Sequence, residues 1–325
     1  MNRLALLVFL LFATLKIQAF NPGGIAINRQ KVILDTDINT DVDDVEALAM
    51  LLDLHKTGAI DLLGVIVTSD NPYSPVCVSC INTYYGCEQI PVGFFKGQNS
   101  LVDNSRYARF IANEFPSKIH SWSDALESTT LYRRLLVQSP DESVIVITIG
   151  PLSSLQKFLQ SSSDQISPLN GTALFNKKVK KWICMGGQFP NGKESNFYRH
   201  DPQSTVYCMK QWEKEVVFCG WEVGNKVITG GISLKNKLNP KHPVYRAYEL
   251  FNNFAGRQSW DQIAILQLTS KANRFFTYSR NGRCEVNSNG SNSWINVTCG
   301  NHRYANIRPD TDLKEVESYI ESLIL

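Results

Sequence analysis

Five aspartates lie within ten residues near the start of the chain: Asp35, Asp37, Asp41, Asp43 and Asp44. Five carboxylates packed into a small volume repel one another, and this repulsion raises their pKa values. A hard divalent cation relieves the repulsion, because carboxylate oxygens are the ligands that it prefers. We therefore expect a divalent metal site in this segment.

Three other interpretations of the acidic segment are open. The acidic residues from Asp35 to Glu46 fit the ligand spacing of an EF-hand loop, but Thr40 stands where its sharp turn needs Gly. A phosphotransferase-type Asp-x-Asp with Asp35 as nucleophile fits the end of a strand, but it leaves the later aspartates unexplained. A solvated acidic loop with Asp44 as the helix N-cap is the third. Metal binding accounts best for an acidic cluster that directly follows a buried strand.

The elements that must position these aspartates follow an alternating pattern. Apolar runs predict strands at 31–34, 62–68, 143–149, 179–185 and 215–219, and helical patterns separate them. Such alternation is typical of an α/β fold with an open, mostly parallel sheet and helices on both faces, as in Rossmann-like proteins. In these sheets the active site lies beyond the carboxyl ends of the strands, where the acidic cluster falls.

The C-terminal part departs from this alternation. Residues 277–303 are rich in Gly, Asn and Ser with short alternating segments, which predicts a β-hairpin excursion. Residues 312–325 have the pattern of a closing amphipathic helix. We find no internal repeat or long linker, so we expect residues 20–325 to form a single domain.

The acidic segment also resembles a known family. Asp35-Thr-Asp37, then Asp43-Asp44 and Ala47, is similar to the N-terminal signature of the inosine-uridine-preferring nucleoside hydrolases, although the stretch 39–42 makes the spacing two residues longer. Four further segments match in the family's order. The first is Gly64–Thr68 with Asn71, and the second is Ile149–Leu152. The third is Met185–Gly187 with Asn191, Glu194, Asn196 and Asp201, and the fourth is Ser259–Asp261. The resemblance covers residues 30–310 and implies a nucleoside hydrolase-like fold.

The resemblance implies hydrolysis of the N-glycosidic bond of ribonucleosides to free base and ribose, with Ca²⁺ as cofactor. The implied metal ligands are Asp37, Asp44, Asp261 and the Ile149 carbonyl, and Asp37 is also the catalytic base. This chemistry needs a water nucleophile, because bond breaking gives the ribose oxocarbenium character, and a metal lowers the pKa of that water. The implied substrate-binding residues are Asp43, Asn71, Met185, Asn191, Glu194, Asn196 and Trp260.

Trp260 is a departure from the family pattern. Many members have a His before the last ligand Asp, and this His protonates the leaving base. An indole cannot act as an acid near neutral pH, although its face can stack on a base. The acid is therefore unassigned; His200 and His242 are candidates, and each also fits a structural role. Trp260 keeps an alternative open: a catalytically impaired, secreted nucleoside- or ribose-binding protein that retains the metal site.

The N-terminus predicts secretion. Arg3, the apolar run 4–15 and Ile17-Gln18-Ala19 are typical of a signal peptide over residues 1–19. Sequons at Asn170, Asn289 and Asn296 predict N-glycosylation. The chain has 33 Lys and Arg against 30 Asp and Glu, and a net charge of +3 favours neither a nucleic-acid partner nor a membrane surface. The expected partner is a small-molecule nucleoside, and the family suggests a homo-dimer or homo-tetramer.

Eight cysteines in a secreted chain predict disulfides. Cys284 and Cys299 flank the predicted hairpin, and we expect them to pair. Cys208 and Cys219 are a second possible pair. Cys184 lies in a predicted buried strand and is expected to be a free core thiol. The remaining three cysteines are Cys77, Cys80 and Cys87. They lack the nearby fourth ligand that a zinc knuckle would need.

Overall fold

A computed structural model describes residues 29–97 and 101–325. The predicted signal peptide, residues 1–19, lies outside this part. Within the described ranges, every helix is too short or too polar to cross a membrane.

Most strands coincide with apolar, β-branched runs, as expected for a buried sheet. The strands are β1 (Gln30–Thr36), β2 (Ile60–Val67), β3 (Val92–Phe94), β4 (Leu126–Glu127), β5 (Val144–Thr148), β6 (Val179–Met185), β7 (Asn191–Gly192), β8 (Glu215–Cys219), β9 (Ile228–Thr229), β10 (Arg257–Gln258), β11 (Phe276–Tyr278), β12 (Gly282–Val286), β13 (Asn292–Asn296) and β14 (His302–Ile307).

Helices occupy most of the connections between these strands. They are α1 (Asp43–Lys56), α2 (Ser74–Tyr84), α3 (Ala108–Glu114), α4 (Ser128–Val137), α5 (Ser153–Leu159), α6 (Gly171–Lys178), α7 (Ser195–Tyr198), α8 (Pro202–Gln211), α9 (Trp221–Gly224), α10 (Ile232–Lys237), α11 (Pro243–Asn252), α12 (Trp260–Leu266), α13 (Ala272–Phe275) and α14 (Leu313–Ser322). A 3₁₀ turn, Trp122–Asp124, lies before β4.

The central sheet has the strand order β4-β3-β2-β1-β5-β6-β8-β14-β12-β13-β7, and β11 pairs with β14. Neighbours from β4 to β14 run parallel, whereas β12, β13, β7 and β11 pair antiparallel. The first strand, β1, is central and lies between β2 and β5. The open, mostly parallel α/β fold predicted from the sequence is confirmed.

Helices cover both faces of the sheet. Val32 and Leu34 of β1 belong to one hydrophobic cluster, which includes α1, α2 and α12, while Ile33 belongs to a second cluster with α4, α5 and α8. Successive side chains of a strand point to opposite faces. A strand covered on both faces is therefore apolar at every position, which explains the continuous apolar run of β1.

The predicted hairpin is formed by β12 and β13, and β14 returns antiparallel to β12 and parallel to β8. The excursion thus extends the central sheet. The closing helix is α14, with Asp312 as N-cap, since its side chain accepts from the Lys314 amide at 2.9 Å.

The eight cysteines all lie in the described residues, and all are free thiols. The predicted Cys284–Cys299 bond is not formed, because β12 turns Cys284 into the core whereas Cys299 lies in an exposed turn. Cys208 and Cys219 are likewise unbonded, and each is buried. Burial raises the pKa of the Cys184 thiol to about 12, which keeps it protonated as the core thiol expected there.

Candidate functional site

Three buried carboxylates meet at the carboxyl end of the sheet. One oxygen each of Asp43, Asp44 and Asp261 lies within 4.8 Å of the others. Asp43 and Asp44 begin α1, the first helix after β1, and Asp261 is the second residue of α12. The Asp261 amide donates to Asp43 Oδ2 at 3.2 Å, which joins the two helix starts. We call these three residues the carboxylate cluster.

The electrostatics of the carboxylate cluster favour a bound cation. Burial raises the pKa of all three carboxyls well above the usual value, and the neighbouring aspartates raise it further. The positive charge of Arg257 lowers the pKa of Asp43, but burial and the charge of Asp41 raise it by more. Buried anions that repel one another and offer hard oxygen ligands fit a hard divalent cation.

Asp37 stands next to the carboxylate cluster at the end of β1. Burial raises the pKa of Asp37 to about 7, and its charge in turn contributes to the raised pKa of Asp44. A Cβ atom at Gly150 would lie 2.7 Å from Asp37 Oδ1, so glycine is needed for the turn after β5 to approach this carboxylate. A carboxylate with a pKa near neutrality is suited to accept a proton at physiological pH.

The other two aspartates of the acidic segment have different partners. Asp35 is buried and accepts hydroxyl hydrogen bonds from Thr68 at 2.6 Å, from Tyr132 at 2.6 Å and from Ser154. Asp41 forms an ion pair with Arg257. The structure therefore separates the five aspartates. Asp43 and Asp44 belong to the carboxylate cluster, Asp37 is the candidate base beside it, and Asp35 and Asp41 are held by other side chains.

The Ile149 carbonyl, predicted as a metal ligand, faces an amide side chain. Asn196 Nδ2 donates to it at 3.1 Å and also lies 3.1 Å from Met185 Sδ. Glu194 accepts from the amides of Gly187 at 3.0 Å and Asn196 at 2.8 Å. These contacts bring four of the predicted site residues together at the ends of β5 and β6.

Glu194 shares the electrostatic character of the site. It is buried, and burial raises its pKa to about 7, while the backbone amides of Asn196 and Gly187 act in the opposite direction. Its side chain also caps α7. The residue predicted to bind a ribose hydroxyl is therefore held in place by the backbone on either side.

A second group of amide side chains borders Asp37. Asn71 Nδ2 donates to Asn104 Oδ1 at 3.1 Å and to Ser105 Oγ at 2.9 Å, and Asn39 Nδ2 donates to Asn104 Oδ1 at 3.0 Å. Asn39 has φ of +116°, a conformation that asparagine adopts more readily than most residues. Asn104 was missed by the sequence analysis, since a polar loop residue carries no periodic or motif signal.

A cleft of about 600 Å³ opens from Asp37 and the amide group. Its lining includes Asn71, as predicted, and also Phe95, Lys96 and Lys157, which the sequence analysis did not identify. His200, one of the two candidate acids, lines the same cleft, and burial followed by the charge of Arg199 lowers its pKa. The cleft places a polar, partly aromatic wall within reach of the base candidate.

Three predicted residues lie elsewhere. Trp260 Nε1 donates to the Trp221 carbonyl at 3.1 Å, so its ring is held at the start of α12 rather than in the lining of the cleft. Asn191 is exposed on β7 and pairs with Ser293 of β13. His242 is buried where it caps α11, and its Nδ1 accepts from the Val244 amide at 3.1 Å.

The fold and the carboxylate cluster define an α/β protein with an open, mostly parallel sheet and a buried acidic site able to bind a metal. Residues 32–312 match the family described as inosine-uridine preferring nucleoside hydrolase. The chain belongs to this family and is therefore a hydrolase of N-glycosidic bonds. A search of curated protein sequences found no significant match.

Solved structures share the fold at low identity. A plant nucleoside hydrolase is 17% identical with a TM-score of 0.66, and the match covers 91% of this chain and 98% of that one. The inosine-uridine preferring nucleoside hydrolase of Bacillus anthracis is 17% identical with a TM-score of 0.64, covering 91% and 99%. The type III effector protein XopQ, solved with adenosine diphosphate ribose, is 13% identical with a TM-score of 0.65, covering 91% and 93%.

Proposed function

We propose that the protein is a Ca²⁺-dependent ribonucleoside hydrolase that releases free base and ribose, with Asp37 as general base. The observation that carries this proposal is the position of Asp37, between the carboxylate cluster and the cleft. A nucleoside in that cleft would have its ribose beside the carboxylates and its base toward the wall that contains Phe95.

In this proposal the metal ligands and the general base have separate roles in the reaction. Asp37, Asp44, Asp261 and the Ile149 carbonyl would hold Ca²⁺, which would supply the Lewis acidity that lowers the pKa of the attacking water. Asp37 would accept the proton of that water, since its carboxylate lines the cleft and lies beside the carboxylate cluster.

The ribose is held through its hydroxyls in this proposal. Asp43, Asn71, Glu194 and Asn196 accept or donate the hydrogen bonds, and Met185 lies beside Asn196. Trp260 directly precedes Asp261 of the carboxylate cluster but lies outside the cleft lining, and Asn191, on β7, is given no contact with the substrate. A site that bonds each hydroxyl discriminates against sugars that lack one, because the buried polar groups would be left unpaired.

The test is an assay of ribose release. Purified protein is incubated with Ca²⁺ and a nucleoside panel, with adenosine diphosphate ribose added because the XopQ structure contains it. We expect ribose from at least one nucleoside, and a loss of at least about a hundredfold in Asp37→Ala. Asp61→Ala is the matched control, since Asp61 is partly exposed and pairs with Lys31 and His55 rather than with residues of the site.

Ribose release that is equal in wild type and Asp37→Ala would refute the proposed mechanism. The alternative, a binding protein that has lost turnover, receives no support from the comparisons. Calorimetry that detects nucleoside binding without ribose release would favour it.

We further propose that the protein is secreted and glycosylated, and that it forms a dimer or tetramer. The asparagines of the three sequons are exposed, which leaves them accessible to glycosylation: Asn170, Asn289 and Asn296. Expression in secretory cells is expected to yield a mature chain that begins after Ala19 and gains mobility on deglycosylation. An unprocessed intracellular product would contradict this, and sedimentation would give the oligomeric state.

A further inference from the structure

A two-point ion pair joins the two chain segments that carry the carboxylate cluster. Arg257 Nε donates to Asp41 Oδ1 at 2.8 Å and to Oδ2 at 3.1 Å, and Nη2 also donates to Oδ2. Asp41 lies two residues before Asp43, and Arg257 lies four residues before Asp261. The pair therefore connects the loop before α1 to β10, the strand that leads into α12.

Both partners are ordered by other contacts. Asp41 Oδ1 accepts from the Val42 amide at 2.8 Å, and the Asp41 carbonyl accepts from the Tyr107 hydroxyl at 2.5 Å. The Arg257 guanidinium lies 4.9 Å from the centre of the Trp260 ring. An ion pair between preordered groups loses less conformational entropy than a pair of free surface side chains. It can therefore hold the two chain segments at a fixed distance from each other.

The location of Asp41 adds to this argument. It lies in the loop between β1 and α1, and Asp43 and Asp44 follow that loop directly. A fixed link from this loop to the segment before Asp261 restores a defined distance between the two halves of the carboxylate cluster.

We propose that Asp41 and Arg257 are positioning residues that hold Asp43 and Asp44 at the correct distance from Asp261, and that they thereby set the affinity for a divalent cation. Asp41 and Arg257 act on the Asp43 carboxyl in opposite directions and together carry no net charge, so we attribute the effect of the pair on a metal to geometry. The inference rests on the metal site of the proposed function, but not on nucleoside hydrolysis.

The test compares two double variants. Asp41→Asn with Arg257→Gln removes the ion pair and keeps the net charge, and we expect the Kd for Ca²⁺ to rise by at least about tenfold in calorimetry. Glu114→Gln with Arg246→Gln is the matched control. It removes a fork of similar geometry between α3 and α11, with distances of 2.8 and 2.9 Å, and should leave the Kd unchanged.

The outcomes separate positioning from general stability. Thermal melting of the metal-free proteins shows whether the two double variants lose comparable stability. A wild-type Kd in the Asp41/Arg257 variant overturns the inference, as does a wild-type protein that binds no Ca²⁺. If the double variant does not fold, Arg257→Lys keeps the charge without the fork, and an unchanged Kd there overturns the inference as well. Ca²⁺ binding by a wild type that releases no ribose refutes only the proposed function.

Discussion

Asp35 and Asp37 lie two residues apart at the end of β1 and have opposite surroundings. Asp35 is enclosed by hydroxyl donors from α4 and α5, whereas Asp37 faces the carboxylate cluster and the cleft. The sequence presents both as aspartates of one acidic segment. Their difference depends on Tyr132 and Ser154, which only the folded chain brings to Asp35, so residue spacing could not reveal it.

Asp35→Asn is expected to lower stability and leave the affinity for Ca²⁺ near that of wild type. The introduced amide directs a donor at hydroxyls that themselves donate, and a buried unpaired group of this kind costs on the order of 1–3 kcal/mol. Urea unfolding and calorimetry measure the two effects. Asp37→Asn should show the opposite pattern, with ribose release lost and folding retained. Equal effects of both variants on stability would contradict this division.

Trp260→His is expected to increase ribose release from nucleosides with poor leaving groups. Position 260 directly precedes Asp261 of the carboxylate cluster, and an imidazole there would supply the acid that the indole cannot. General acid catalysis typically contributes about a hundredfold or more. Trp260→Phe is the control, because it keeps an aromatic ring without an acid. The measurement is kcat across the nucleoside panel. Equal kcat values in the two variants would show that no acid is missing at this position.

At the scale of elements, the strong periodic signals were reliable. The predicted strands at 31–34, 143–149 and 179–185 correspond to β1, β5 and β6. Strands of two or three residues, such as β3 and β7, were missed, because so short a segment has no periodicity and forms only through its neighbours in the sheet. Part of the cleft lining was missed for a related reason: Lys96 and Lys157 come from segments that the fold alone brings together.

Glu46 connects α1, which carries part of the carboxylate cluster, to neighbouring elements by hydrogen bonds. Its Oε2 accepts from Thr229 at 2.6 Å, from Tyr248 at 2.6 Å and from Gln262 at 2.8 Å. These donors lie on β9, α11 and α12, so one side chain on α1 connects three other elements. Burial raises the pKa of Glu46, and the three donors act in the opposite direction.

Glu46→Ala is therefore expected to lower the free energy of unfolding by about 3 kcal/mol, because it leaves buried donors unpaired and opens a cavity. Glu249→Ala is the control, since Glu249 forms a largely exposed pair with Arg246 on α11 and should change stability by less than about 0.5 kcal/mol. Denaturant unfolding gives both values. Similar midpoints for the two variants would contradict a fastening role for Glu46.

For the whole molecule, the carboxylate cluster couples metal binding to stability. Because a cation that binds the folded state alone stabilises it by mass action, Ca²⁺ at a hundred times its Kd should add about 2.7 kcal/mol. Calorimetric scans with Ca²⁺ and with a chelator measure the shift in Tm. Asp261→Ala should remove the response, since it removes one of the three carboxylates. A chelator that leaves the wild-type Tm unchanged would contradict a metal site in the fold.

Stability should also depend on pH through His242, which fastens α11 to the C-terminal end of the chain. Its Nδ1 accepts from the Val244 amide at 3.1 Å, its Nε2 lies 3.2 Å from the Tyr85 hydroxyl, and that hydroxyl donates to the Ile324 carbonyl at 2.9 Å. Protonation of Nδ1 would break the helix cap, so the folded state holds the neutral ring. Burial accordingly lowers the pKa of His242 to about 4.

A histidine whose pKa is lowered by folding contributes stability above its unfolded pKa of about 6.5, and this contribution is lost as the pH falls toward 4. Between pH 7.5 and 5 wild type should therefore lose about 2 kcal/mol relative to His242→Asn, whose amide can still cap α11 but does not titrate. Taking the difference between the two proteins removes the opposite contribution of the buried carboxylates, which is common to both. Urea unfolding at the two pH values measures it, and a difference that does not change with pH would mean that His242 is charged in the folded state or already exposed to solvent.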